Sequence, residues 1–202
     1  MRGQRIGLFG GTFDPVHDAH LALAHAALEQ LDLDRLLWIP AGEPWQKAPA
    51  RLLTAPEHRA AMVELAIAGE PRFALERCEL LRPGPSYTLD TVHELQAREP
   101  GNEWFLVLGQ DQYAQLATWH GWRELLGLVT LAVAGREGVA PAPSAEVAAV
   151  AHRMLPLTLP PMAHSSSALR EPGGEAALTA MVPPAVARYI DRHRLYAATR
   201  ER

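Results

Sequence analysis

Short apolar runs alternate with longer stretches in which apolar residues recur every three or four positions, and this rhythm predicts an order of elements. Ile6 to Phe9 reads as a buried strand that stops at Gly10-Gly11. Pro15 and Asp18 are helix-opening residues, and Leu21, Leu23, Ala24, Ala27, Leu28 and Leu31 follow at roughly helical spacing. Leu36 to Pro40 reads as a second strand ended by proline, so strand, helix and strand make a right-handed, parallel βαβ unit. An irregular loop, Ala41 to Pro49, leads to a helix from Thr54 to Ala68, with Met62, Leu65 and Ala66 on its apolar face and Thr54 as its N-cap. Arg59, in the first turns of that helix, reads as part of a solvated face.

Farther along, Phe73 to Leu75 and Glu79 to Leu81 read as short strand pieces. Pro83 to Thr88 is a turn that opens a helix from Leu89 to Arg98, with Thr88 as the N-cap. Trp104 to Leu108 and Leu128 to Ala134 are strongly apolar strands. Gly138 to Ala151, rich in Ala, Pro and Val, is a loop leading into a short helix; Met154 to Leu157 is a last strand, and Pro183-Pro184 opens a closing helix from Ala185 to His193. The alternation predicts an α/β, doubly wound, Rossmann-like fold with a mostly parallel sheet of five or six strands. In such folds the ligand crevice lies at the C-terminal edge of the sheet. Gly10 to His20, Lys47, Asp111 and Arg136 all follow predicted strands, so they should gather there.

Composition narrows the class. With 202 residues and 48% apolar content, one domain spanning 1–202 is the default, and it can bury a real core. A net charge of −4 argues against a nucleic-acid surface, though not against a local basic pocket. Cys78 is the single cysteine; it reads as a small core hydrophobe, and the count fits a reducing, cytoplasmic compartment. The apolar run after the basic opening residues ends too early for a signal peptide, and the uncharged run Leu125 to Gly135 is too short to cross a bilayer. Nothing in the pattern fixes the oligomeric state, and a homo-oligomer stays open.

The candidate chemistry starts at the first turn. A strand feeding Gly10-Gly11-Thr12-Phe13 and then a helix aims main-chain N–H groups and a positive helix end at one point, which suits a phosphate. His17 and His20 lie three apart at the helix opening, so both rings can face one side and donate to phosphate oxygens as charge builds there. The pattern alone also fits a glycine turn followed by two surface histidines. It is not a zinc helix, which spaces its histidines four apart around a Glu, and it lacks the Gly-Lys-Ser/Thr ending of a P-loop. In Pro85-Ser86-Tyr87-Thr88 the free amides at the helix start either serve as a simple cap or bind a carboxylate. Asp111 can accept from ribose hydroxyls or cap the next helix, and Ser165, Ser166 and Ser167 ahead of Arg170 read as a helix start rich in donors.

Taken whole, Gly10-Gly11-Thr12-Phe13-Asp14-Pro15-Val16-His17-Asp18-Ala19-His20 resembles the His/Thr-x-Gly-His signature of the nucleotidylyltransferase superfamily. Its longer Gly-Gly-Thr-Phe-Asp-Pro-x-His form is similar to that of the nicotinate-nucleotide adenylyltransferases of NAD synthesis, with Ala19 where that family has Gly. His164 to Arg170 resembles the superfamily's second signature, with Ser167 for Thr, and the Leu195-Tyr196 close is also familial, so the resemblance runs from Ile6 to Tyr196. It implies transfer of an adenylyl group from ATP to nicotinate mononucleotide, with Mg²⁺ carried on the ATP. His17 and His20 would act at the reacting phosphate, and Lys47 and Arg170 on the phosphate tail. Tyr87 and Thr88 would offer amides to the nicotinate carboxylate, Trp119 a stacking face to the pyridine, and Arg136 a contact near the adenine. In the Lys47 loop the family's usual His is replaced by Trp45-Gln46. The alternatives are the same chemistry on nicotinamide mononucleotide or phosphopantetheine, or a regulator that binds nucleotide without chemistry.

Overall fold

A computed structural model describes residues 3–43, 53–135, 139–159 and 181–196. Within them six strands form one sheet: β1 (Arg5–Gly11), β2 (Arg35–Pro40), β3 (Phe73–Leu75), β4 (Glu103–Gly109), β5 (Thr130–Ala134) and β6 (Met154–Leu157). Every pairing is parallel, and the order is β3-β2-β1-β4-β5-β6. This is the doubly wound order, and its direction reverses between β1 and β4, where a crevice opens beyond the strand ends. The central strands are apolar on both faces because helices cover both. The edges are short, and Pro156 is tolerated in β6 because that strand pairs on one side only.

The helices sort by face. On one side α1 (Asp18–Gln30), α2 (Pro56–Ile67) and the closing helix pack over Phe9, Leu36, Trp38, Phe105 and Val107. On the other, α3 (Cys78–Leu81), α4 (Thr88–Arg98), α5 (Gln110–Ala114), α6 (Trp122–Leu128) and α7 (Ala145–Ala148) cover Ile6, Leu8, Leu37, Leu106 and Leu131. The closing helix, α8 (Pro184–His193), docks on α2 through Val186 and Ile190. Trp38 is fully buried at the centre, and truncating such a side chain typically costs ~3–5 kcal/mol.

The expected elements are present among the described residues, with five local corrections. β1 does not stop at Gly10-Gly11: both glycines pair in register with Ile39 and Pro40, and the turn begins at Thr12. Thr54 is not the N-cap of α2; Ala55 holds that place ahead of Pro56, whose fixed φ suits the first helical turn. Glu79 to Leu81 is the short helix α3 rather than a strand, closed by Leu80 and Leu81 N–H groups on the Arg77 carbonyl. Thr88 is the first residue of α4, and Tyr87 caps it. Leu128 ends α6, so β5 begins at Thr130. The loop residues 44–49 and the expected helix start at His164 to Arg170 lie outside the described residues. No described helix is long and apolar enough to cross a membrane.

Cys78 sits in the core, and burial, helped by the nearby Glu76 and Glu94, pushes its thiol up to about 12. A buried thiol that is not ionised at neutral pH is a poor nucleophile. A disulfide reagent at about pH 8 should therefore leave the native protein unlabelled and label one thiol per chain once it is unfolded. Rapid stoichiometric labelling of the native protein would contradict this packing.

Candidate active site

The site is built on the C-terminal edge, from the exits of β1, β2 and β4. Gly10 is next to last in β1 and Gly109 is last in β4, and a Cβ on either would meet no atom of the described residues within 4 Å. The two strands that flank the switch point thus leave bare backbone beside open space, where a ligand can approach closely. Gly11 is different: its Cβ would lie 2.9 Å from the Phe13 ring, so this glycine makes room for the turn itself.

Phe13 then turns the chain with φ of +49°, a left-handed conformation that a bulky residue rarely adopts. Its ring is buried with Phe9 and Trp38, and its edge meets the His20 ring at 5.1 Å. Phe13 was expected to touch substrate; its side chain belongs to the core, so only its main chain can be offered to a ligand. Asp14 and Pro15 follow through a cis peptide. His17 is the N-cap of α1, and the two imidazoles stack with centroids 3.7 Å apart. The His17 backbone N–H donates to Nδ1 of His20 at 3.2 Å. With Nδ1 accepting, the neutral His20 ring carries its proton on Nε2, which makes that nitrogen a donor. His17 is nearly buried and His20 half-buried, so His20 is the ring more open to a ligand. A positive helix end, main-chain donors and a tautomer-fixed imidazole converge on this turn.

The second wall is the turn before α4. The Ser86 N–H donates to the Glu43 carbonyl at 3.0 Å, the Gly42 N–H donates to the Ser86 hydroxyl at 3.0 Å, and the Ala41 N–H donates to the Gly11 carbonyl at 2.9 Å. These bonds join the glycine turn, the exit of β2 and the α4 start into one rim. Tyr87 lies on it with its ring against His120, centroids 4.5 Å apart, and Thr88 begins the helix. Trp119 is half-buried nearby in the chain, its indole Nε1 buried with no hydrogen-bond partner among the described residues, while Trp122 is core as expected. Asp111 is exposed in the first turn of α5, just beyond Gly109. The structure therefore brings Gly10, Gly11, Thr12, His17, His20, Tyr87, Thr88 and Asp111 to the same sheet edge. Lys47, Arg136, Ser165, Ser166, Ser167 and Arg170 lie outside the described residues.

Two residues do more than the sequence reading gives them. Arg59 is not on a solvated face: it is 1% exposed, and its guanidinium donates to the carbonyls of Thr54 (2.9 Å), Thr12 (2.9 Å) and Gly42 (3.3 Å). Burial pulls the guanidinium below its usual range, and the nearby Asp14 carboxylate opposes that shift. Its place beside Glu57 and His58 in a polar stretch hides the burial, but Arg59 shares a helix face with Met62, Val63 and Ala66, three, four and seven residues on, and that spacing is the signal that it turns inward. Glu79 is buried beneath the second turn, accepting from the Thr91 hydroxyl at 2.7 Å and from Ser86, and burial pushes its carboxyl up.

The Cytidylyltransferase-like family model matches residues 8–172, a span that holds the glycine turn, both histidines and the α4 turn. A protein of Methylibium petroleiphilum named "Probable nicotinate-nucleotide adenylyltransferase" is 55% identical over 98% of this chain and 94% of its own length. One of the same name from Bordetella petrii is 50% identical over 96% and 99%. The chain belongs to the nicotinate-nucleotide adenylyltransferase family. A solved Plasmodium falciparum nicotinic acid mononucleotide adenylyltransferase, complexed with NaAD, shares the fold with a TM-score of 0.80 at 17% identity, covering 96% of this chain and 98% of that one. The family resemblance read from the first signature and the fold class read from the alternation both stand.

The two glycines should respond differently to a methyl group. Gly11→Ala should lose about 1–3 kcal/mol by displacing the Phe13 ring, while Gly10→Ala should stay within about 0.5 kcal/mol of the parent. Denaturant unfolding of both variants checks this; equal midpoints would mean the turn is not packed as described.

Proposed function

We propose that this protein joins MgATP and nicotinate mononucleotide into deamido-NAD, with release of pyrophosphate. The observation that carries the reading is the glycine turn at the β1–β4 switch point, with a helix start and the paired His17 and His20 aimed at it. Family membership supplies the reaction class. The fold neighbour's complexes with NaAD and with APC support a nucleotide as the ligand.

In the reaction an oxygen of the mononucleotide's 5′-phosphate attacks the α-phosphorus of ATP in line. A new P–O bond forms as the bond to the bridging oxygen breaks, and pyrophosphate carries away the electron pair. Both reactants are anions, so the protein's task is to position them and to steady the charge passing between them. The main-chain donors of Gly10 to Phe13 receive the α-phosphate, and His20, with His17 behind it, donates to the bridging and non-bridging oxygens. Lys47 and Arg170 hold the phosphate tail, where the planar fork of Arg makes two bonds to one anion. Asp111 accepts from a ribose hydroxyl, Arg136 lies near the adenine, and Ser165, Ser166 and Ser167 give further donors. Mg²⁺ enters as part of the substrate, on the phosphate oxygens it prefers. Among the described residues no cluster of three or more His, Cys, Asp or Glu forms a metal cage.

The acceptor end is read from the α4 start. Main-chain amides at Tyr87 and Thr88, backed by the dipole of an eleven-residue helix, favour a carboxylate over a neutral carboxamide. Trp119 offers its flat face to the pyridine.

Three measurements check this. Pyrophosphate release should be at least about tenfold faster with nicotinate mononucleotide than with its amide, the value of one charge-assisted hydrogen bond; equal rates would remove the role given to the α4 start. His20→Ala should cut kcat by about 10²–10³-fold while costing about 1 kcal/mol of stability or less, through the lost cap; near-normal turnover would refute its role. Gly10→Ala should raise the KM for MgATP several-fold, because the methyl occupies the open side of β1; an unchanged KM would place the phosphates elsewhere.

A further inference from the structure

Asp14 sits inside the phosphate turn and is 4% exposed. Its carboxylate is gripped by groups remote in sequence. Oδ1 accepts from the Tyr196 hydroxyl at 2.6 Å, and Oδ2 accepts from the Thr54 backbone N–H at 3.3 Å. Tyr196 reaches it from the far end of the chain. Past α8 the backbone reverses, with Arg194 at φ +50° and Tyr196 at φ +67°, and Leu195 N–H returns to the Ile190 carbonyl. That reversal carries the phenol from the closing helix back to the first turn. Two residues earlier in the chain the Arg59 guanidinium, itself near Asp14 and Tyr196, holds the Thr12 carbonyl at 2.9 Å. Between the two grips lies Phe13, whose left-handed backbone aims the turn's main chain and whose ring flanks His20.

We infer that Tyr196 is a positioning residue for adenylyl transfer: through Asp14 its hydroxyl holds the phosphate turn in the form that aims main-chain donors and His20 at the reacting phosphate. This rests on the function proposed above. A short hydroxyl-to-carboxylate bond is among the stronger and more directional hydrogen bonds. Without the phenol the turn loses its shortest side-chain grip while the longer Thr54 bond and Arg59 remain, so it can shift without coming loose, and a displacement of about 1 Å in a catalytic group can cost up to ~10²-fold in rate. The pyridine end of the acceptor is held at the other turn, which Asp14 does not touch, so the loss should appear in kcat and spare acceptor binding.

The test compares Tyr196→Phe with Tyr189→Phe, using the full-length protein, MgATP and nicotinate mononucleotide. Tyr189 lies in α8 and also makes one hydroxyl hydrogen bond, to Nδ1 of His58 at 2.8 Å, but it is outside the turn's network. Tyr196→Phe should lower kcat about tenfold with the KM for the mononucleotide within about twofold, and Tyr189→Phe should keep kcat within about twofold at a similar unfolding midpoint. The double variant Asp14→Asn/Tyr196→Phe removes the charge left short of a donor, so it should recover midpoint without recovering kcat. Unchanged kcat in Tyr196→Phe, equal losses in both tyrosine variants, or kcat restored together with stability would each overturn the inference. Wild-type turnover with an unimpaired Tyr196→Phe defeats the inference alone; no pyrophosphate from the wild type defeats the function proposed, and the inference with it.

Discussion

Among the described residues, the buried Arg59 holds the site's frame. The Arg59 guanidinium is removed from water and faces backbone carbonyls rather than a direct ion-pair partner. Burying a charge is expensive unless its donors are satisfied and an opposite charge is near. Three carbonyls and the neighbouring Asp14 carboxylate meet those conditions. The fork geometry of Arg is what allows one side chain to reach the glycine turn at Thr12, the exit of β2 at Gly42 and the entry of α2 at Thr54; a point charge such as Lys could not span all three. Removing it would leave several buried acceptors short of donors at once, so the spacing of these segments depends on it more than on any apolar contact.

From this frame the electrostatics follow. Two helix starts, those of α1 and α4, open on the same sheet edge, and a run of hydrogen bonds through Gly11, Ala41, Gly42 and Ser86 joins them. Each start carries the partial positive charge of its helix dipole, so the edge is prepared for anions at two points. An acidic protein overall can present such an edge because the field at a few ångströms is set by local dipoles, not by net charge. Gly10 near the end of β1 and Gly109 at the end of β4 add no side chain to the space beside them. The arrangement suits a reaction in which two nucleotides meet by their phosphates.

Much of this was legible in the chain. The strands were marked by short apolar runs, the helices by spacing, and the first turn by a stretch of residues specific enough to carry the family. The misreadings have physical causes. Arg59 reads as solvated because a charged residue in the first turns of a helix is expected to face water, yet it shares the face of Met62 and Val63, and contact with Thr12 and Gly42 buries it. Glu79 to Leu81 reads as a strand piece, but a run this short fits one helical turn equally well, and only neighbouring contacts decide. Asp14 and Tyr196 are 182 residues apart, and no local pattern announces a bond over that distance. The caps at Thr54 and Thr88 moved by one residue because Pro56 and Tyr87 set the first turns instead. The Phe13 ring belongs to the core, which leaves its main chain for the ligand role. The roles given to Lys47, Arg136, Ser165, Ser166, Ser167 and Arg170 rest on motif and family alone.

The central claim is that the reacting phosphate sits on the turn between β1 and α1. A crystal structure of the protein with Mg²⁺ and a non-hydrolysable ATP analogue tests it most directly. The account predicts the α-phosphate within about 3 Å of main-chain donors in residues 10–13 and of His20 Nε2. A triphosphate seated instead at the start of α4, or anywhere that leaves the glycine turn empty, would contradict it.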